Sequence, residues 1–195
     1  VTYDDSATVP TNAGSYAVHV DVDTANYVGS ADATLTIAKA TATVTLGGLD
    51  NTYDGASHAA SVTTNPEGLT VDVTYDGLPD APIGVGDYEV VATVNDSNYQ
   101  GSANDTLSIG KATLSISVTN KSKTYNGSAQ GVSVTTNPAG LDYTVTYDGS
   151  TDVPTDAGSY AVVVTVDTAS YAGTADATLT IARAAASISV TGLSK

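Results

Sequence analysis

The 195-residue chain carries 21 acidic against 6 basic side chains, a net charge of −15 and a pI near 4.1. That balance excludes the basic surface with which proteins neutralise nucleic-acid phosphates or anionic membranes. Its hydrophobic content of 41% argues against disorder but comes from Val, Ala, Ile, Leu and Tyr alone, which predicts thin, β-branched cores and leaves no Cys for disulfides or thiolate chemistry.

Taken in chain order, the sequence repeats. Tyr3, Tyr75 and Tyr147 are spaced by 72 residues, as are Tyr16, Tyr88 and Tyr160, then Tyr27, Tyr99 and Tyr171, then Pro10, Pro82 and Pro154. Lys39, Lys111 and Arg183 keep the same interval. The frame assigns 1–39 to the C-terminal part of a repeat, 40–111 and 112–183 to complete repeats, and 184–195 to the start of a further one. Val1 opens in mid-repeat without an initiator Met or basic leader, so the chain reads as a piece of something longer. No apolar run reaches the roughly 18 residues that would suggest a membrane span.

Within the second repeat, short alternating runs of Val, Thr, Ile and Tyr predict strands near 41–46, 57–63, 69–75, 87–95 and 103–110, with counterparts 72 residues later. Between them stand turn-forming stretches such as "GGLDNTYDG" and "NPEG". No amphipathic helix interrupts the pattern. The expected fold is all-β, a tandem of small Ig-like β-sandwich repeats; a β-grasp-like repeat is the rival, weakened by the missing helix.

The motif "TYDG" occurs at Thr52 to Gly55, Thr74 to Gly77 and Thr146 to Gly149, with near-copies "TYDD" at Thr2 and "TYNG" at Thr124. Asp54-Gly55, Asp76-Gly77 and Asp148-Gly149 are read as turns that end strands, because Asp and Gly tolerate positive φ and a preceding Tyr suits a strand. A sugar or ion site is disfavoured by the exchange of Asp54 for Asn126 and of Gly77 for Asp5 between copies.

A second motif pairs a glycine with a tyrosine that opens a Val-rich strand: Gly14 with Tyr16, Gly86 with Tyr88, Gly158 with Tyr160. It resembles the tyrosine corner of Ig-like sandwiches, in which the hydroxyl bonds to upstream backbone.

The junction "LTIAKATATVTL" contains no flexible spacer. Leu35 and Ile37 place their apolar face on odd numbers, whereas Ala42, Val44 and Leu46 place theirs on even ones. Side chains alternate along a strand, so a bulge or change of sheet is expected at Lys39-Ala40, Lys111-Ala112 and Arg183-Ala184. Units joined in this way would stack into an elongated rod.

Together, the Tyr-Asp-Gly turns, "AGSYAV", "VDTASYAGTADATLTIARA" and the "IAKA" junction resemble the MBG/YDG type of bacterial Ig-like tandem repeat over essentially the whole chain. The resemblance implies a large secreted or surface-anchored protein, an extracellular or cell-surface location and a stalk or adhesin-like role. It carries over no catalytic residue and no cofactor.

Other candidates are weighed against that reading. His19, Asp21 and Asp23 share one strand face, but their counterparts change, which favours a solvent face over a metal site. His58, replaced by Gln130 in the next copy, is expected at the surface. For calcium, the candidates are Asp23, Asp32, Asp167 and Asp176, although no EF-hand-like loop occurs. A lysine isopeptide bond is disfavoured because Arg183 occupies the position of Lys39 and Lys111. No nucleophile-base set or phosphate loop is found, so the chain is not expected to be an enzyme. The expected partners are neighbouring repeats of the same chain. Self-association by strand addition between chains is an alternative, as is recognition of a glycan or host protein through loops such as "GLPDAPIGVG".

Overall fold

A computed structural model describes residues 1–192. The predicted start of a further repeat over 184–195 therefore lies partly outside the described residues. Strands β1 (Thr2–Tyr3), β2 (Gly14–Asp23) and β3 (Val28–Ile37) lie in the first, partial repeat. The next repeat holds β4 (Ala40–Thr41), β5 (Thr43–Gly47), β6 (Asp50–Thr52), β7 (Ser61–Asn65), β8 (Val71–Tyr75), β9 (Gly86–Val94), β10 (Tyr99–Gln100) and β11 (Ser102–Gly110). The third holds β12 (Ser115–Thr119), β13 (Ser122–Thr124), β14 (Ser133–Asn137), β15 (Thr144–Tyr147), β16 (Gly158–Asp167) and β17 (Ala172–Ala182). The described residues contain no helix.

The chain forms two compact units. One comprises Val1–Asn51 and Gly55–Ile109; the other comprises Thr52–Asp54 and the chain from Gly110 onward. In the second unit, β12 and β14 make a two-stranded antiparallel sheet. The other sheet runs β13-β17-β16-β15, with β13 parallel to β17 and the remaining pairs antiparallel. Tyr147, Val162, Val164, Leu179 and Ile181 from the larger sheet are buried against Ile116, Val118 and Val134 from the smaller one. Two sheets facing across one core make a sandwich, and the antiparallel hairpin β16-β17 is its longest ladder.

The core follows from period-two patterning. Val162, Val164 and Val166 are buried, while Val163 between them is exposed. Each buried Val or Leu contributes roughly 1.5 to 3 kcal/mol relative to its exposed state.

The first unit repeats the plan with sheets β5-β7 and β6-β11-β9-β8. Ala42, Val44, Ala92 and Val94 form its buried cluster, covered by Leu46, Val62, Val71 and Val73. It also contains the three-stranded sheet β1-β2-β3, in which no residue is fully buried. No facing sheet covers that sheet among the described residues.

Strand positions differ from the sequence expectation in several places, among them the short β10, which pairs in parallel with β4. The strand expected near 57–63 forms at Ser61–Asn65, because the preceding segment runs as a loop whose Ala60 N–H donates to the Tyr75 hydroxyl at 2.9 Å. The short strands β6 and β13 were not anticipated. Gly48 and its counterpart Asn120 adopt φ of 67° and 57°, after which the chain leaves one sheet for the other. With sequences "DNT" and "SKT", these strands are held by backbone ladders and carry no apolar alternation to betray them.

The Tyr-Asp-Gly turns prove to be of two kinds. After β8 and β15, both turn residues have positive φ, 48° and 80° at Asp76-Gly77 and 48° and 85° at Asp148-Gly149. Tyr75 and Leu78 exchange two backbone hydrogen bonds across this turn at 2.7 and 2.9 Å. The geometry is that of a type I′ reversal, which suits the twist of the strands. Each Asp then braces the neighbouring strand: Asp76 Oδ1 accepts from Glu89 N–H at 2.9 Å, and Asp148 Oδ1 from Ala161 N–H at 2.7 Å. Asp4 does the same for Ala17 at 2.7 Å. After β6 and β13, only Gly55 and Gly127 have positive φ, at 85° and 81°. Asp54 and Asn126 keep ordinary backbone angles.

Candidate functional site: the repeat junction

The junction begins with the corner tyrosines. Tyr16, Tyr88 and Tyr160 each donate their hydroxyl to a carbonyl four residues upstream, on Asn12, Gly84 and Asp156, at 2.9 Å in all three copies. Gly14 and Gly158 lie beside the ring, where a Cβ would come within 3.1 Å of the hydroxyl, whereas at Gly86 it would stand in ordinary contact at 3.5 Å. The bond ties the loop to the start of the strand.

In the first unit, the succeeding repeat uses that loop. Ala13 N–H donates to Asn98 Oδ1 at 2.8 Å, and Asn98 Nδ2 donates to Asn12 Oδ1 at 3.2 Å. Asn98 sits at the tip of the hairpin joining β9 to β10. Asp96 Oδ1 organises that tip by accepting from the N–H groups of Asn98 and Tyr99 at 2.7 and 3.0 Å.

The incoming chain passes beside the same tip. Strand β3 ends at Ile37 and β4 starts at Ala40, whose N–H donates to Asn98 O at 2.8 Å. Strand β4 then pairs in parallel with β10, Ala40 opposite Tyr99 and Thr41 opposite Gln100. The parity switch at Lys39-Ala40 is thus a change of sheet, from β1-β2-β3 to β10-β4. Lys39 Nζ donates to Asp96 O at 2.6 Å. Gly101 allows the approach, since a Cβ there would run into Ala42 O.

The second unit contains a related arrangement. Lys111 pairs with the Asp167 carboxylate. Ala112 N–H donates to Ser170 O at 2.9 Å and Ala112 O accepts from Ala172 N–H at 3.0 Å. The hairpin tip is held by Thr168, whose Oγ1 accepts from Tyr171 N–H at 3.1 Å. Tyr53, from the turn after β6, meets Tyr171 edge to face with centroids 5.7 Å apart and planes at 84°. A Cβ at Gly173 would lie 2.8 Å from Leu114 Cδ2. The sequence passes through Arg183-Ala184 as exposed, non-strand chain.

The junction thus unites residues that sequence reasoning had separated. Lys39, Ala40, Lys111 and Ala112 were expected there. The hairpin residues Asn98 and Tyr171 and the glycines Gly101 and Gly173 were missed, although Gly29, Gly101 and Gly173 share the 72-residue spacing that could have exposed them.

The remaining candidates lie elsewhere. The four calcium candidates are not brought together: Asp167 pairs with Lys111, Asp32 with His19, Asp176 is exposed on β17, and Asp23 ends β2. Among the described residues, no group of three or more His, Asp or Glu side chains is arranged to hold a metal. His19 stands opposite Asp32 in the β2-β3 ladder. Its Nδ1 lies 2.5 Å from Asp32 Oδ1 and its Nε2 2.9 Å from Asp21 Oδ1. These bonds, the one to Asp32 first, raise its pKa above the usual 6.5. His58, expected at the surface, is half-buried because its loop folds against the Pro82 segment, with His58 N–H donating to Pro82 O at 2.9 Å.

Comparison with known proteins gives one family. The MBG domain matches at residues 1–41, 42–113 and 114–185, nearly the whole chain in three consecutive copies. No curated protein matches it significantly. With the sandwich, the corner tyrosines and the recurring junction, this match makes the chain a member of the MBG domain family, a tandem array of the kind found in repeat-containing structural or surface proteins.

Proposed function

We propose that the chain is a spacer: MBG sandwiches in series within a bacterial surface or extracellular protein, holding a terminal binding or anchoring module away from its attachment point. The repeats do no chemistry in this reading. The junction is the working part.

One observation carries it. Only two residues, Ala38 and Lys39, separate the last strand of one repeat from the first strand of the next, while Asn98 ties the next repeat back to the preceding corner loop. A connection of two residues clamped by hydrogen bonds resists bending far better than a Gly/Ser linker. Repulsion among an excess of fifteen negative charges would also favour extension, most strongly at low salt.

Small-angle scattering tests the proposal. The expected result is a rod-like profile for the intact chain and a shortened, broadened distance distribution once four glycines are inserted between Lys39 and Ala40. An intact chain as compact as a globular protein of its mass, or an insertion that changes nothing, would defeat the spacer reading.

A further inference from the structure

Asn126-Gly127 is the one Asn-Gly pair in the sequence, and its counterpart in the preceding copy is Asp54-Gly55. Asparagine is thermally labile when the next peptide nitrogen can reach its side-chain amide, and glycine, with no Cβ, leaves that nitrogen unshielded. The turn that holds the pair decides whether the reaction runs in the folded chain.

The two kinds of turn hold their residues differently. In the type I′ turn after β15 the chain is pinned on both sides: Tyr147 and Ser150 exchange backbone bonds at 2.7 and 2.9 Å, and Asp148 N–H donates to Ala161 O at 2.8 Å. Asp148 Oδ1 accepts from Ala161 N–H at 2.7 Å, which draws the side chain toward the neighbouring strand and away from Gly149. Asn126 and Gly127, by contrast, are exposed and lie outside any strand, and among the described residues a Cβ on Gly127 would meet nothing within 4 Å. The Asn126 side chain folds back on its own backbone, with Ser128 N–H donating to Asn126 Oδ1 at 3.0 Å. The ring closed by that bond contains the Gly127 nitrogen, so the amide carbonyl faces the peptide that would attack it. The donated hydrogen bond also stabilises negative charge on Oδ1 as Cγ is attacked. Exposure belongs to the bend itself: Asp54 and Gly55, which a full repeat follows, are exposed as well.

We propose that Asn126-Gly127 is a self-modification site, at which the Asn126 amide is converted without an enzyme to aspartate and isoaspartate. The Gly127 nitrogen bonds to Asn126 Cγ and gives its proton to water; the Cγ–Nδ2 bond breaks, and Nδ2 takes up a proton and leaves as ammonia. Water then opens the resulting succinimide. Addition at Cγ restores the ordinary backbone with a carboxylate at position 126, the pair already encoded at Asp54-Gly55. Addition at the backbone carbonyl leaves isoaspartate, with the chain running through Cγ. Either product adds a negative charge beside Tyr125, whose N–H donates to Ala182 O at 2.8 Å where the β13-β17 pairing ends. Isoaspartate also lengthens the backbone just after that bond and loosens it. This chemistry is a property of the bend and stands whether or not the array acts as a spacer.

Incubation of the 195-residue chain at neutral pH, folded and in denaturant, tests it by peptide mapping in a mass spectrometer. Each conversion raises the mass by about 1 Da. At Asn126 the folded rate should lie within about threefold of the unfolded rate, because an open bend needs little rearrangement to react. D148N places a second Asn-Gly pair in the braced turn, where the folded chain should react at least about tenfold more slowly than the unfolded one, since the bond from Ala161 must break first. N126Q, whose longer side chain closes the ring far less readily, should abolish the gain at this site. Amide exchange at Tyr125 should quicken in the isoaspartate fraction and hold steady in N126D.

An Asn126 amide that survives in the folded chain while the unfolded chain loses it would overturn the proposal. So would a mass gain that maps elsewhere instead, or a D148N pair that reacts in the folded chain as fast as Asn126, because the bend would then confer nothing. Unchanged Tyr125 exchange in the isoaspartate fraction would overturn the loosening of β13.

Discussion

The two Tyr-Asp-Gly or Tyr-Asn-Gly turns of each complete repeat share nearly one sequence and divide the labour. After β8 and β15, the tyrosine faces inward: Tyr75 and Tyr147 are 5% and 6% exposed, and their hydroxyls accept from Ala60 and Val132 N–H at 2.9 and 3.1 Å. After β6, Tyr53 faces the neighbouring repeat and packs on Tyr171. One turn builds the sandwich and the other builds the connection. What separates them is the position of the strand. All are edge strands, at opposite edges of the same sheets: β8 and β15 deliver the tyrosine to the core face, whereas the shorter β6 ends beside the junction.

The sharpest way to break the comparison is truncation of both tyrosines. Tyr147→Ala removes a buried ring and should cost its repeat about 3 to 5 kcal/mol, enough to unfold a domain of this size on heating to moderate temperature. Tyr53→Ala should cost only about 0.5 to 1.5 kcal/mol and should act on inter-repeat order. Thermal unfolding followed by circular dichroism distinguishes the two. Equal losses in Tm would show that the turns are not specialised.

A smaller effect separates the turn aspartates from the rest of the motif. Asp148→Ala removes the carboxylate that accepts from Ala161 N–H and should lower stability by about 1 to 2 kcal/mol, with amide exchange accelerating first at Ala161. Asp148→Asn keeps an acceptor and should recover most of it. Asn98→Ala should be milder still for folding, within about 1 kcal/mol, because its bonds lie at a part-exposed junction rather than in a core. Its signature should be increased independent tumbling of residues 1–37 in NMR relaxation.

The smallest effect belongs to neither turn and sets the baseline for surface chemistry. The bonds from Asp32 and Asp21 raise the His19 pKa, so their support for the β2-β3 ladder is fully present below the unfolded value near 6.5 and fades as pH rises through the higher folded value. NMR titration should give a midpoint above 6.5, and Asp32→Asn should bring it down. An unchanged midpoint in that variant would remove Asp32 as the main cause. His19 lies at a solvent-accessible site, its side chain 42% exposed, so little change in melting is expected.

By itself, the sequence determined the repeat frame, the all-β class and the corner tyrosines, because a strict period and alternating Val residues are local signals. It also announced a switch of face at Lys39-Ala40, since parity must be conserved along a continuous strand. Tertiary structure alone decided which Tyr-Asp-Gly turn enters a core, where Asn98 and Tyr171 land, and that β6 and β13 exist. Those outcomes depend on contacts between residues from 15 to more than 100 positions apart and on backbone ladders indifferent to side-chain pattern, so no short window of neighbouring residues could carry them.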